Sequence, residues 1–162
     1  MDETPLSFDM PSPVTIEKRG SKTVGIKTTG HERTNFTVIL GCLADGTKLP
    51  AMCIFKLKTI PRDVFPPNVI IRVNEKGWCN EHEMHYWINN VWTRRSDVVK
   101  PQSLLVLDSF RGHLMDSVKY HFKENNTHLA VIPGGLTSKL QPLDVAINKS
   151  FKCKVRSSLK IF

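Results

Sequence analysis

No run of apolar residues in this sequence approaches the roughly 18 to 20 needed to cross a bilayer. The opening Met1-Asp2-Glu3 has neither the basic nor the apolar region of a signal peptide, so no membrane partner is expected. Cysteine is sparse. Cys42, Cys53, Cys79 and Cys153 lie far apart with no Cys-x-x-Cys pair, which fits reduced thiols in cytosol or nucleus better than a zinc knuckle or disulfide frame. Internal repeats and low-complexity tracts are absent. The proline groups at Pro11 to Pro13 and Pro61 to Pro67 are too short for interdomain linkers and read as loops. Negative charge is also in short supply: 15 Asp and Glu face 23 Lys and Arg, a net charge of +8. What is present is 40% hydrophobic and 23% charged sequence over 162 residues, enough for one soluble globular domain. Its excess of positive charge favours an anionic partner, nucleic acid being the commonest.

The first half reads as strands. Thr23 to Lys27, Phe36 to Leu43 and Leu49 to Phe55 are rich in β-branched and apolar residues. Ala44-Asp45-Gly46-Thr47 supplies a turn between the last two, which predicts an antiparallel meander, with Val69 to Val73 as an added edge strand. The period then lengthens to about 3.6. Asn80 is placed to cap a helix, with Glu83 as its reciprocal partner, and Met84, Trp87, Ile88, Val91 and Trp92 form one apolar stripe. Ser103 to Leu107 reads as a short buried strand delivering Asp108 to a sheet edge. A helix over Leu114 to Lys123 follows, stopped by Asn125-Asn126, and then a second buried strand over Leu129 to Ile132. Pro142 suits the first position of a last helix, which puts Asp144 in its first turn. The order predicts a mixed α/β layered domain.

Three acids stand at pointed places: Asp2 in the first segment, Asp108 at the end of a strand and Asp144 at a helix start. Each also has a plain structural reading, as a solvated terminus, a turn cap and a helix-dipole partner respectively. Together they matter differently, because hard divalent cations take oxygen ligands and displacement at phosphorus is well served by two metals held by a few carboxylates, in which case these acids would share a site. Cys79, His82 and His85 lie three residues apart, but the histidines project away from the apolar stripe and read as a solvated helix face. Asp108, Ser109 and His113 contain hydrolase residue types without a Gly-x-Ser-x-Gly elbow, which argues against an α/β-hydrolase.

These residues carry a resemblance. Asp2-Glu3-Thr4-Pro5, Thr28-Thr29-Gly30-His31-Glu32, Ala44-Asp45-Gly46-Thr47-Lys48-Leu49-Pro50 and Ile54-Phe55-Lys56 resemble the opening half of the pogo/Tigger branch of transposase catalytic domains. Leu107-Asp108-Ser109-Phe110-Arg111-Gly112-His113-Leu114, Val131-Ile132-Pro133-Gly134-Gly135-Leu136-Thr137-Ser138 and Leu140-Gln141-Pro142-Leu143-Asp144 resemble its two remaining acidic motifs. This branch of DDE superfamily endonucleases is related to the jerky and centromere protein B groups. The match runs from Asp2 to about Arg156, so the resemblance implies a catalytic domain over residues 1–156 and a tail over 157–162.

What the resemblance implies is a ribonuclease-H-like mixed sheet flanked by helices. Asp2, Asp108 and Asp144 would be the catalytic acids, holding two Mg²⁺ or Mn²⁺ ions that cut and rejoin DNA in the nucleus. Thirty-five residues separate Asp108 from Asp144, in keeping with the branch's short spacing. Arg111, Lys139 and Lys149 are the expected phosphate contacts, and His113 is expected to touch DNA, orient a water or cap the next helix. The sequence departs from the branch at its start. Only Met1 precedes Asp2, so the first strand is expected to be truncated, its first acid on an open terminus and its DNA contact non-specific. The partners are then DNA and, through self-association, a homodimer. The alternative is a domesticated, inactive module that binds DNA or protein, the use to which the centromere protein B domain is put.

Overall fold

The computed structural model describes residues 1–10, 16–25, 30–31, 34–95 and 102–159. Pro11 to Pro13, the end of the expected Thr23 to Lys27 strand, and Thr28, Thr29 and Glu32 lie outside them. Four strands form one sheet in the order β1 (Asp2–Ser7), β2 (Asn35–Leu40), β3 (Ala51–Lys56) and β4 (Val69–Asn74). β1 to β3 are antiparallel neighbours, with Asp2 opposite Leu40 and Thr37 opposite Ile54. The turn between β2 and β3 follows the Asp-Gly signal: Asp45 Oδ1 accepts from the Thr47 amide at 2.8 Å, and Gly46 sits at φ +89°. β4 is the expected edge strand, but it runs parallel to β3 and so leaves the meander pattern. Thr23 to Gly25 are not in a strand, because β1 rather than this segment pairs with β2 and β-branched content has no ladder to join there.

Helix α1 (Glu81–Trp87) begins where the cap predicts, with Asn80 Oδ1 accepting from the Glu83 amide at 3.0 Å. The reciprocal half of the box is absent: the Glu83 carboxylate turns instead to Arg72 on β4, with Arg72 Nε donating to Oε2 at 2.8 Å. α1 runs on into a π-helical turn over Ile88–Trp92, and all five residues of its apolar stripe are buried. They pack with Ile39, Met52 and Ile54 of the sheet and with Leu105, Leu107, Val118 and Phe122 from the second half.

β5 (Ser103–Asp108) and β6 (Thr127–Ile132) pair in parallel, with Asp108 opposite Ile132. They are not buried on both sides as expected. Leu105 and Leu107 face the core while Leu104 is 63% exposed, so an all-apolar strand here has one open face. The helix between them, α2, spans Asp116–Glu124 and starts later than predicted. Arg111–His113 forms a 3₁₀ turn and Met115 is extended, because the His113 ring is drawn inward to two carboxylates. Val118 and Phe122 keep their core role, and Asn126 ends the segment at φ +50°.

The last stretch contains a single turn, α3 (Thr137–Leu140), then a π-helical turn over Leu143–Ile147 that continues as α4 (Asn148–Leu159). α4 therefore runs past Arg156 into the expected tail. Successive β1 residues point to opposite faces. Glu3 stands opposite Ile39 on the face carrying the α1 and α2 core, whereas Asp2 points to the face covered by the Gln141–Asn148 segment. The two sheets meet where the Met1 nitrogen donates to the Val106 carbonyl at 2.8 Å, which brings β5 beside β1. No helix among the described residues is long and apolar enough to cross a membrane.

Candidate active site

Asp2 is the first residue of β1, and neither it nor Met1 is on an open terminus: they are 5% and 4% exposed. Two carboxamides hold the Asp2 side chain. Asn148 Nδ2 donates to Oδ2 at 2.6 Å and Gln141 Nε2 to Oδ1 at 3.4 Å, while Gln141 also donates to the Met1 carbonyl at 3.0 Å. Burial raises the Asp2 pKa, the Asn148 bond opposes that rise, and the charge of Asp144 adds to it.

Asp144 is exposed in the first turn of the π-helical segment, as Pro142 predicts. The Asn148 amide bonds back to the Leu143 carbonyl, a five-residue closure, and such π turns recur at functional sites. Here the turn leaves Asp144 and Asn148 on one side, and Asn148 Nδ2 donates to Asp144 Oδ1 at 2.8 Å. One amide nitrogen thus joins acids from the two ends of the chain.

Asp108 ends β5, as the sequence predicts, but its carboxylate is turned to other partners. Oδ1 accepts from the Phe110 amide at 3.0 Å and lies 2.9 Å from His113 Nδ1. These contacts, His113 first, hold its pKa below the usual carboxylate value. His113 is 1% exposed, and its Nε2 lies 2.9 Å from Glu3 Oε1. Burial alone would lower the His113 pKa, but the Asp108 and Glu3 carboxylates outweigh it and raise the value to about 9. At neutral pH the ring is an imidazolium clamped between two carboxylates, facing neither solvent nor a helix end. Arg111, Lys139 and Lys149 are exposed.

The structure therefore links Asp2 to Asp144 through Asn148 and places Asp108 on a neighbouring network. Among the described residues, no three His, Cys, Asp or Glu side chains stand together as a ready cation cage. The donors nonetheless suit a hard divalent cation in kind, since all are oxygens. Asn148 Oδ1 and Gln141 Oε1 are buried and lack a hydrogen-bond partner, although the nitrogen of each amide serves Asp2. Buried acceptors are rarely left so.

Sequence reasoning missed Glu3, Gln141 and Asn148 as members of these networks. Asn148 carried a signal in its position four residues after Asp144, and Gln141 in the motif leading to that acid. The remaining sequence candidate is dispersed. Cys79 precedes α1 and is buried rather than solvated, with burial pushing its thiol pKa up. His82 is exposed beside Arg72, and His85 is half-buried with its ring stacked on His121.

Comparison with known proteins agrees with the sequence motifs. The family model described as "DDE superfamily endonuclease" matches residues 33–160. A human protein named "Pogo transposable element with KRAB domain" is 45% identical over 157 residues, 96% of this chain and 26% of that protein. The mouse protein of the same name is 43% identical over the same share of each chain. A human "Pogo transposable element with ZNF domain" is 32% identical over 71% of this chain and 8% of that protein. The chain thus spans about a quarter of the length of the first two relatives. No solved structure matches.

Proposed function

The chain belongs to the DDE superfamily endonuclease family, and from that premise we propose that it is a pogo-type transposase catalytic domain of ribonuclease-H-like architecture, built for metal-dependent cleavage and joining of DNA. The observation that carries this reading is the meeting of Asp2 and Asp144 on the single Asn148 nitrogen. The antiparallel β1 to β3, the contact of β1 with β5 and the parallel β5 and β6 support the architecture.

In this reading Asp2, Asp108 and Asp144 hold Mg²⁺ or Mn²⁺. When bound, two such ions supply an activated water or 3′-hydroxyl and stabilise the leaving oxygen. The chain's own residues do the rest. Gln141 and Asn148 orient the Asp2 carboxylate, the Phe110 amide and His113 orient that of Asp108, and Arg111, Lys139 and Lys149 bind backbone phosphates of DNA in the nucleus. Base-independent contact of this kind weakens as salt rises.

Mn²⁺ calorimetry on the chain beside Asp108→Asn and Asp144→Asn tests the reading, together with nicking of supercoiled DNA. Binding and nicking lost in both variants are expected; equal, weak binding in all three would refute it. A second reading, a domesticated module that binds DNA without cutting it, is favoured by the engagement of Asp108 with His113. That module would retain salt-sensitive DNA binding with chelator present and in both variants.

A further inference from the structure

Asn148 is the one side chain that touches both Asp2 and Asp144 among the hydrogen bonds described above. Its position is set three ways. It follows the π-helical turn, it is only 6% exposed, and its main-chain amide is bound to the Leu143 carbonyl. A carboxamide nitrogen has two N–H groups, and here each is used on a different carboxylate. The assignment of nitrogen rather than oxygen to this end follows from chemistry, since the reverse would set a carbonyl oxygen against two anions. The other end, Oδ1, is buried without a partner, an arrangement that costs about 1–3 kcal/mol wherever it is left in place.

This geometry serves the two acids more than the fold. Asp144 is exposed and Asn148 supplies its bond across to Asp2, so without that amide the side chain is free to turn into solvent. Asp2 is buried close to a second carboxylate, and its shortest side-chain hydrogen bond comes from Asn148. A divalent cation held by Asp2 and Asp144 would offset the negative charge of the two carboxylates that Nδ2 now joins.

We propose that Asn148 is a positioning residue for the cation site, its amide nitrogen holding Asp2 and Asp144 together as the pair of carboxylates that would ligate a divalent ion. The inference rests on the proposed function and adds to it a residue outside the acidic set. Replacement by alanine frees Asp144 and removes the shortest bond to Asp2, so metal affinity falls. Replacement by aspartate puts a third carboxylate at the same point. It repels its neighbours when no ion is present and would supply an added oxygen ligand when one is.

Mn²⁺ alone is the probe, with calorimetric affinity and thermal melting measured on the wild-type chain, Asn148→Ala and Asn148→Asp. The expected pattern is at least a tenfold loss of affinity in Asn148→Ala. Asn148→Asp should keep wild-type affinity or better, melt lower than wild type without metal, and gain more melting temperature from Mn²⁺. A merely structural amide cannot give this pattern, because the charged replacement would then be the worse of the two in every measurement. Parallel loss of affinity and stability in both variants, or wild-type affinity in both, overturns the inference while leaving the Asp108 and Asp144 assignments standing. Absence of Mn²⁺ binding by the wild-type chain overturns the site and the inference together.

Discussion

Glu3 Oε1 and His113 Nε2 lie 2.9 Å apart although their positions in the chain differ by 110. With Asp108 Oδ1 2.9 Å from the other ring nitrogen, the contact ties β1 to the end of β5 through a buried cation. Its contribution to stability depends on pH, and the sign is fixed. The folded pKa of about 9 lies above the unfolded value of 6.5, so the folded chain binds the proton more tightly. The contribution is complete below pH 6.5 and is lost as pH rises through 9. A gap of that size corresponds to something on the order of 3 kcal/mol. Urea denaturation at pH 6 and pH 9.5 should show the wild-type chain losing stability across this window and His113→Gln losing much less. Equal pH dependence in the two chains would mean that the imidazolium is not the titrating group.

How much of this was legible in the sequence depends on whether a feature is local. The Asn80 cap, the Asp45-Gly46 turn and the stripe from Met84 to Trp92 depend on near neighbours, and each forms where its pattern says. Asp108 at a strand end and Asp144 in a first turn are local too. Partnerships set by the fold were not legible. Glu83 satisfies its capping role in spacing, yet a buried carboxylate prefers a guanidinium to an amide, and Arg72 is brought within reach only by the parallel pairing of β3 and β4. The inward turn of His113, which delays α2, similarly depends on Glu3 from the opposite end of the chain.

A buried hydrogen bond between Trp92 Nε1 and Thr127 Oγ1, at 2.8 Å, fastens the end of the α1 segment to the start of β6. Thr127→Val keeps the side-chain volume and removes the acceptor, leaving an indole N–H with no water to turn to. The expected loss is about 1–3 kcal/mol, because an orphaned buried donor costs its full desolvation. Thr127→Ser retains the hydroxyl and should lose less. Thermal melting of the two variants separates the bond from the methyl group, and a larger loss for serine than for valine would show that packing dominates.

The Arg72 and Glu83 pair makes the opposite prediction for a double change. Glu83 is 2% exposed on α1 and accepts two bonds from Arg72, at 2.8 and 3.4 Å, while the guanidinium also lies 4.0 Å over the Tyr86 ring. Bringing both charges out of water is costly, and much of their mutual attraction goes to offset it. Arg72→Met alone strands a buried carboxylate and should destabilise the chain by about 3–5 kcal/mol. Adding Glu83→Leu removes the stranded charge, and the double variant should recover most of that loss. A double-mutant cycle in urea gives the coupling directly. Additive losses would mean that water reaches Glu83 once Arg72 is gone, and that the junction between β4 and α1 is held by its apolar contacts rather than by the pair.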